Sequence, residues 1–265
     1  MNELTTYRWT FDEDIRRYIA AGFDGIGVWR DKLSDFGEER GIELLRDSPL
    51  RVSSLLWAGG FTGNEGRTHR EGIDDGLEAL RVAAALGADC LVVYTGGRGG
   101  HTINHARRLT RAALAELGDA AAALGVTLAL EPMHIGCACD WTFLTSLDEA
   151  LDLVQDLPCS AIKLAFDTYH LGHCASILER IEGLISYVAI VQLGDARHAP
   201  CGEQDRCCLG DGRIPLGPIV RRLLAAGYDG YFDVELMGQE IEGCDYDHIL
   251  RRSVTAVRQL LAAAG

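Results

Sequence analysis

Four apolar runs in this sequence stop on a side chain that carries oxygen: residues 126–130 on Glu131, 162–166 on Asp167, 189–191 on Gln192 and 232–234 on Glu235. Apolar runs of this length read as strands buried on both faces of a parallel sheet. A polar residue at the C-terminal end of such a strand stands where α/β folds place their chemistry. Taken singly, each carboxylate has an ordinary use, capping a helix or pairing with an arginine. Four at successive strand ends favour a shared ion. Two glutamates, one aspartate and one amide oxygen form a hard ligand set, which suits Mn²⁺ or Mg²⁺ first and Co²⁺ or Zn²⁺ second, zinc preferring nitrogen and sulfur. An ion chelated by a carbonyl and the neighbouring hydroxyl acidifies the C–H between them and stabilises an enediolate.

The elements that must hold these residues follow from periodicity. Strands are expected at residues 3–7, 25–29, 52–57, 90–94, 126–131, 162–167, 187–192 and 230–235. Helical spacing falls between them, at 12–21, 36–45, 72–86, 104–124, 146–154, 177–185, 216–226 and 246–263. Asn104 and Ser146 are the expected N-caps, the latter opening a capping box with Glu149. Eight strands alternating with eight helices make a (β/α)₈ TIM barrel, read here as one domain over residues 1–265. An echo between Ala21-Gly-Phe-Asp-Gly25 and Ala226-Gly-Tyr-Asp-Gly230, each bridging a helix to a strand, is consistent with it. Residues 58–66 form a glycine-rich loop, and the irregular stretch 196–214 is expected to act as a lid or substrate loop.

Bulk properties exclude other classes. A net charge of −14 argues against a nucleic-acid partner. The first ten residues lack the basic and apolar regions of a secretion signal, and no apolar stretch is long enough to span a bilayer, so a cytoplasmic protein without a membrane partner is expected. Nine cysteines, an odd number in a long chain, read as reduced thiols rather than as a disulfide framework or a zinc cluster of Cys137, Cys139, Cys207 and Cys208. The run Thr95–Gly100, TGGRGG, lacks the Lys-Ser/Thr of a phosphate-binding loop.

The segments LALEPMH (128–134), LAFDTYHLGH (164–173), VQLGD (191–195) and FDVEL (232–236) resemble the xylose-isomerase-like TIM-barrel family of sugar and sugar-phosphate isomerases and epimerases. The likeness runs through most of the chain and is densest over residues 126–235. It implies that Glu131, Asp167, Gln192 and Glu235 hold one divalent metal, and that Glu131 and Glu235 also take and return the substrate proton. It implies that His170, in Asp167-Thr-Tyr-His170, meets substrate hydroxyls, and that Arg206, ahead of LGDGRIP, serves the substrate from its loop. Gln192 is similar to the hydroxypyruvate-isomerase branch, whereas ketose 3-epimerases usually carry histidine there. Two departures bear on the substrate: Trp29 ends a strand where many relatives have glutamate, and His134 stands where they often have asparagine. Trp29, Trp57, Tyr94 and His101 fall at or after strand ends, where an aromatic face can stack on a sugar.

The expected function is therefore metal-dependent isomerisation or epimerisation of a sugar, keto-sugar or related polyol, with homo-oligomerisation left open. The same site could instead support β-elimination, as in a dehydratase or lyase, or merely bind sugar. An apurinic-site endonuclease, with three zinc ions and a basic face, fits the acidic chain poorly.

Overall fold

Seven strands run parallel in chain order: β1 Gly25–Trp29, β2 Arg51–Ala58, β3 Cys90–Val93, β4 Thr127–Leu130, β5 Ile162–Asp167, β6 Val188–Leu193 and β7 Phe232–Val234. The structure is a computed structural model describing residues 1–63, 66–202 and 204–264; Asn64 and Glu65 of the glycine-rich loop and Glu203 of the long loop lie outside the described residues. The connecting helices are α1 Phe11–Ala21, α2 Arg30–Phe36, α3 Glu38–Arg46, α4 His69–Leu86, α5 Ile103–Leu124, α6 Leu147–Gln155, α7 Thr168–Leu171, α8 Ile177–Leu184, α9 Leu216–Ala225, α10 Gln239–Glu242 and α11 Tyr246–Ala262.

The expected strand at 3–7 is instead a 3₁₀ turn, Glu3–Thr6. Asn2 causes the turn: its side chain accepts the Leu4 N–H and its carbonyl accepts the Thr5 N–H, which bends the chain after a single extended residue. The gap between β7 and β1 is bridged by Met1 and Asn2. Asn2 N–H donates to Val234 O at 3.0 Å, Gly27 N–H donates to Met1 O at 2.9 Å, and Asn2 pairs with Gly27 in parallel register. The result is a TIM barrel whose eighth staves are these residues.

Side chains alternate across each strand, and two apolar cores follow. Phe166, Val191, Leu193 and Val234 face the helices, where Ile219, Ile249 and Leu250 cover them. Ala129, Ala165, Ile190 and Val92 face the barrel axis, with Leu4 and Leu56. Full burial of a leucine such as Leu56 stabilises by roughly 1.5–3 kcal/mol. The small Ala129 and Ala165 leave room above them for larger polar side chains two residues on.

Helix ends follow their local chemistry, with three corrections. Gly22 (φ 86°) and Gly227 (φ 93°) both take the left-handed conformation after a helix, so the two AG-aromatic-DG echoes are equivalent helix stops. The helix expected at 36–45 is α3, which starts only at Glu38, because Gly37 (φ 102°) separates it from an additional helix, α2. The helix expected from 72 starts at His69, because Thr68 and Glu71 form a full capping box. Thr102, not Asn104, caps α5: Thr102 is extended and its hydroxyl accepts the His105 N–H. Ser146 caps α6 as expected, accepting the Glu149 N–H.

The long connection after β6 is pinned by one buried residue. Asp195 Oδ1 accepts the N–H groups of Ala196 and Ile214, and Oδ2 those of Gly210 and Gly212. The loop therefore folds back on its own root, which carries Arg206 into the barrel mouth. All nine cysteines are free of disulfides. Among the described residues, no helix is long and apolar enough to cross a membrane.

Candidate active site

Strand register decides which side chains meet. Asp167 on β5 pairs with Gln192 on β6, and Gln192 pairs with Asp233 on β7. Alternation then turns Glu131, Asp167, Gln192 and Glu235 onto the axis, each two residues beyond an inward Ala129, Ala165, Ile190 or Asp233. All four are buried, with at most 2% exposure.

Their contacts form one network. Gln192 Nε2 donates to Glu235 Oε2 at 2.5 Å, and Arg206 Nη2 lies 2.8 Å from Asp167 Oδ2 and 2.9 Å from Glu235 Oε1. His170 Nε2 stands 3.7 Å from Glu131 Oε1 and 3.8 Å from Asp167 Oδ2. Asp167 Oδ1 is held by the Tyr169 N–H at 2.7 Å. Arg206 stacks over Tyr169, donates through Nη1 to Glu235 O, and binds Gln204 Oε1.

The orientation of His170 is settled by its other nitrogen. His134 N–H donates to His170 Nδ1 at 3.3 Å, with Cys137 Sγ 3.6 Å away. An accepting Nδ1 in a neutral ring leaves the proton on Nε2. Burial lowers the His170 pKa to about 3, so the ring is neutral. Glu131, Asp167 and His170 offer atoms within 4.8 Å of one another and could surround an ion, but a protonated Nε2 is a donor and lacks the lone pair a ligand needs. Gln192 Oε1 is also buried and without a hydrogen-bond partner.

Electrostatics point the same way. Burial, reinforced by Glu235 and Asp167, raises the Glu131 pKa well above the usual carboxylate range. Burial also pushes Glu235 up to about 7, although Arg206 pulls it down. Three carboxylates, one guanidinium and a neutral imidazole share this buried volume. Buried oxygen donors of this kind are the type that suits a hard divalent cation.

The mouth cavity beside this cluster has a volume of about 500 Å³ and is walled by Trp29, Trp57, Trp141, Cys137, Gln204 and Met237. Trp141 packs 5.3 Å from Trp57 and 5.4 Å from Tyr94, ring centre to ring centre. The TGGRGG run supports Trp141: Gly96 N–H donates to Trp141 O and Gly97 N–H to Asp140 O. A Cβ on Gly97 would come within 2.7 Å of Cys139 O, so glycine is needed there.

Of the expected substrate contacts, Trp29 and Trp57 line the cavity. Arg206 does not: it is turned inward onto Asp167 and Glu235. His134 lies to one side, its ring against His173 and its Nδ1 accepting the Gly136 N–H. Arg30 is clamped to Asp75 and Trp57 O, and His101 Nε2 meets Thr62 O. Sequence spacing does not point to Asn2, Asp233, Cys137 or Trp141. The inward alternation of FDVEL was the available signal for Asp233.

Comparison with known proteins agrees with this fold. The xylose isomerase-like TIM barrel family model matches residues 15–260. An inosose isomerase from Halalkalibacterium halodurans is 25% identical over 83% of this chain and 80% of its own length. A D-psicose 3-epimerase from Enterocloster bolteae is 30% identical over 49% of this chain and only 41% of its own length. A crystal structure from Sinorhizobium meliloti superposes with a TM-score of 0.90 at 29% identity, covering 98% of this chain and 97% of that one. The IolI protein, solved with a zinc atom, has a TM-score of 0.87 at 20% identity, covering 100% of this chain and 98% of its own. This chain belongs to the xylose isomerase-like TIM barrel family.

Proposed function

We propose that the chain is a sugar isomerase or epimerase that moves a proton beside the carbonyl of a keto-sugar or keto-polyol, with one divalent metal held by Glu131, Asp167, Gln192 and Glu235. The convergence of oxygen donors carries this reading: three buried carboxyl groups and the unpartnered Gln192 Oε1 meet beside one guanidinium and a neutral imidazole. When bound, the ion polarises the substrate carbonyl and so acidifies the neighbouring C–H.

The remaining work falls to the chain. Glu131 follows β4 and Glu235 follows β7, so they approach from different staves of the barrel. Burial pushes Glu235 up to about 7 and raises Glu131 well above the usual carboxylate range, which suits a carboxyl to giving and taking a proton. One removes the proton from the substrate carbon and the other returns it. His170 offers Nε2–H to a substrate oxygen. The tryptophans at the mouth exclude water and stack on the apolar face of the substrate. The described residues lining the mouth include no Lys or Arg, which favours a substrate without phosphate. The sugar isomerase and epimerase names among the relatives support the reaction class, and the zinc in the IolI neighbour supports a divalent ion.

The test is proton exchange. Protein loaded with Mn²⁺ and offered an inosose, D-psicose or L-ribulose in deuterated water should place deuterium on the carbon beside the carbonyl, and a chelator should stop it. Product analysis then separates epimer from isomer. Absence of exchange across a keto-sugar panel with Mn²⁺, Mg²⁺, Co²⁺ and Zn²⁺ would defeat the proposal.

A further inference from the structure

We infer that Asn2 is a positioning residue for Glu235, fixing which carboxylate oxygen faces the reacting centre; this rests on the role proposed for Glu235 above. Asn2 is completely buried and reaches neither the mouth cavity nor solvent. Its Nδ2 donates to Glu235 Oε2 and to Asp233 Oδ2, both at 3.1 Å, while its Oδ1 accepts the Leu4 N–H at 3.1 Å. The amide cannot be flipped, because carboxylate oxygens accept and a backbone N–H donates. Glu235 Oε2 thus receives two N–H donors, from Asn2 and Gln192, leaving Oε1 toward Arg206 Nη2 and the ion site.

The backbone holds the donor in place. Asn2 N–H binds Val234 O, one residue before Glu235, and Asn2 O accepts the Thr5 N–H and the Tyr18 hydroxyl. Gly27 keeps the space open: a Cβ there would lie 2.5 Å from Asp233 Oδ2 and 3.0 Å from Asn2 Nδ2. A residue that only anchored the chain start would need the backbone bonds but not the side-chain pair to two carboxylates.

The test compares Asn2→Ala with Tyr18→Phe, which loosens the same segment without touching a carboxylate. Melting curves identify a temperature at which both variants are folded, and Mn²⁺ titration is done there. Asn2→Ala should raise the Mn²⁺ dissociation constant by roughly ten- to a hundredfold, as loss of a hydrogen bond to a ligand does, while Tyr18→Phe stays within about threefold of wild type. Crystal structures of wild type and Asn2→Ala give a second readout, in which the Glu235 carboxylate should rotate. If wild type binds no Mn²⁺, the proposed metal role falls, yet the crystal structures still decide the role of Asn2. An unmoved Glu235 in Asn2→Ala, or Mn²⁺ affinity matching wild type, would overturn the inference. Should Asn2→Ala not fold, Gly27→Ala, which pushes on the same amide, takes its place with the same expected outcomes.

Discussion

His170 Nε2 and Glu131 Oε1 face each other at 3.7 Å, a donor and a carboxyl poised across a gap too long for a direct hydrogen bond. A substrate oxygen seated to one side of that gap can reach both groups at hydrogen-bonding distance. If it does, His170→Ala should raise KM by about tenfold, the worth of a single hydrogen bond to a charged or polarised group, while deuterium exchange at saturating substrate persists. Steady-state kinetics paired with exchange measurements separate the two effects. An unchanged KM with exchange abolished would move His170 from binding to proton transfer.

Glu131→Gln and Glu235→Gln each keep an oxygen while removing the titrating group. Turnover should fall about a hundredfold or more in each. The two variants should differ in which substrate form still exchanges its proton, since one carboxylate survives in each. Near-normal exchange in both would rule out the two-carboxylate scheme.

Asp167→Ala should abolish metal binding, read by metal analysis after dialysis. In the wild type, removing the ion should lower the melting temperature, because a ligand at a hundred times its Kd stabilises by about 2.7 kcal/mol. A chelator should leave the melting temperature of Asp167→Ala unchanged.

The metal-free protein should lose stability as pH rises. Glu235 has a folded pKa of about 7 against an ordinary value of 4.5, and Glu131 is raised as well. The folded state therefore holds protons that the unfolded chain has released. Stability is greatest below about pH 4.5 for this contribution and declines through pH 7, by about 3 kcal/mol for Glu235 alone. Urea midpoints between pH 5 and 8, measured with chelator, should fall with pH, and saturating metal should flatten the slope. Midpoints that rise over this window without metal would contradict the burial of these carboxyls in an uncharged state.

Trp141→Ala should act on binding alone. Stacking of this kind is worth about 0.5–1.5 kcal/mol, so KM should rise roughly threefold to tenfold with kcat little changed. A large fall in kcat would place Trp141 nearer the chemistry than its 39% exposure suggests.

The four strand-end residues were readable because burial writes a local pattern: an apolar run, a period of two, then an oxygen-bearing side chain at the end. Helix stops at Gly22 and Gly227 and the Ser146 cap were readable for the same reason, since each depends on neighbours within a few residues. Where nearby signals competed, the reading slipped, as with Asn104 against Thr102 and the helix expected from residue 36, which begins only after Gly37.

Tertiary structure alone decided the rest. Asn2 meets Asp233 and Glu235, 231 and 233 residues away, and no periodicity announces a hydrogen bond over that distance. The chain start closes the barrel between β7 and β1 because the strands' unpaired edges need partners, not because residues 3–7 favour a strand. Arg206 sits in an irregular loop, and only the fold of that loop around Asp195 brings it between Asp167 and Glu235. The sequence by itself determined which residues could carry the chemistry, through local burial; which oxygen of Glu235 is free and which nitrogen of His170 bears the proton were decided by partners that only the closed barrel brings together.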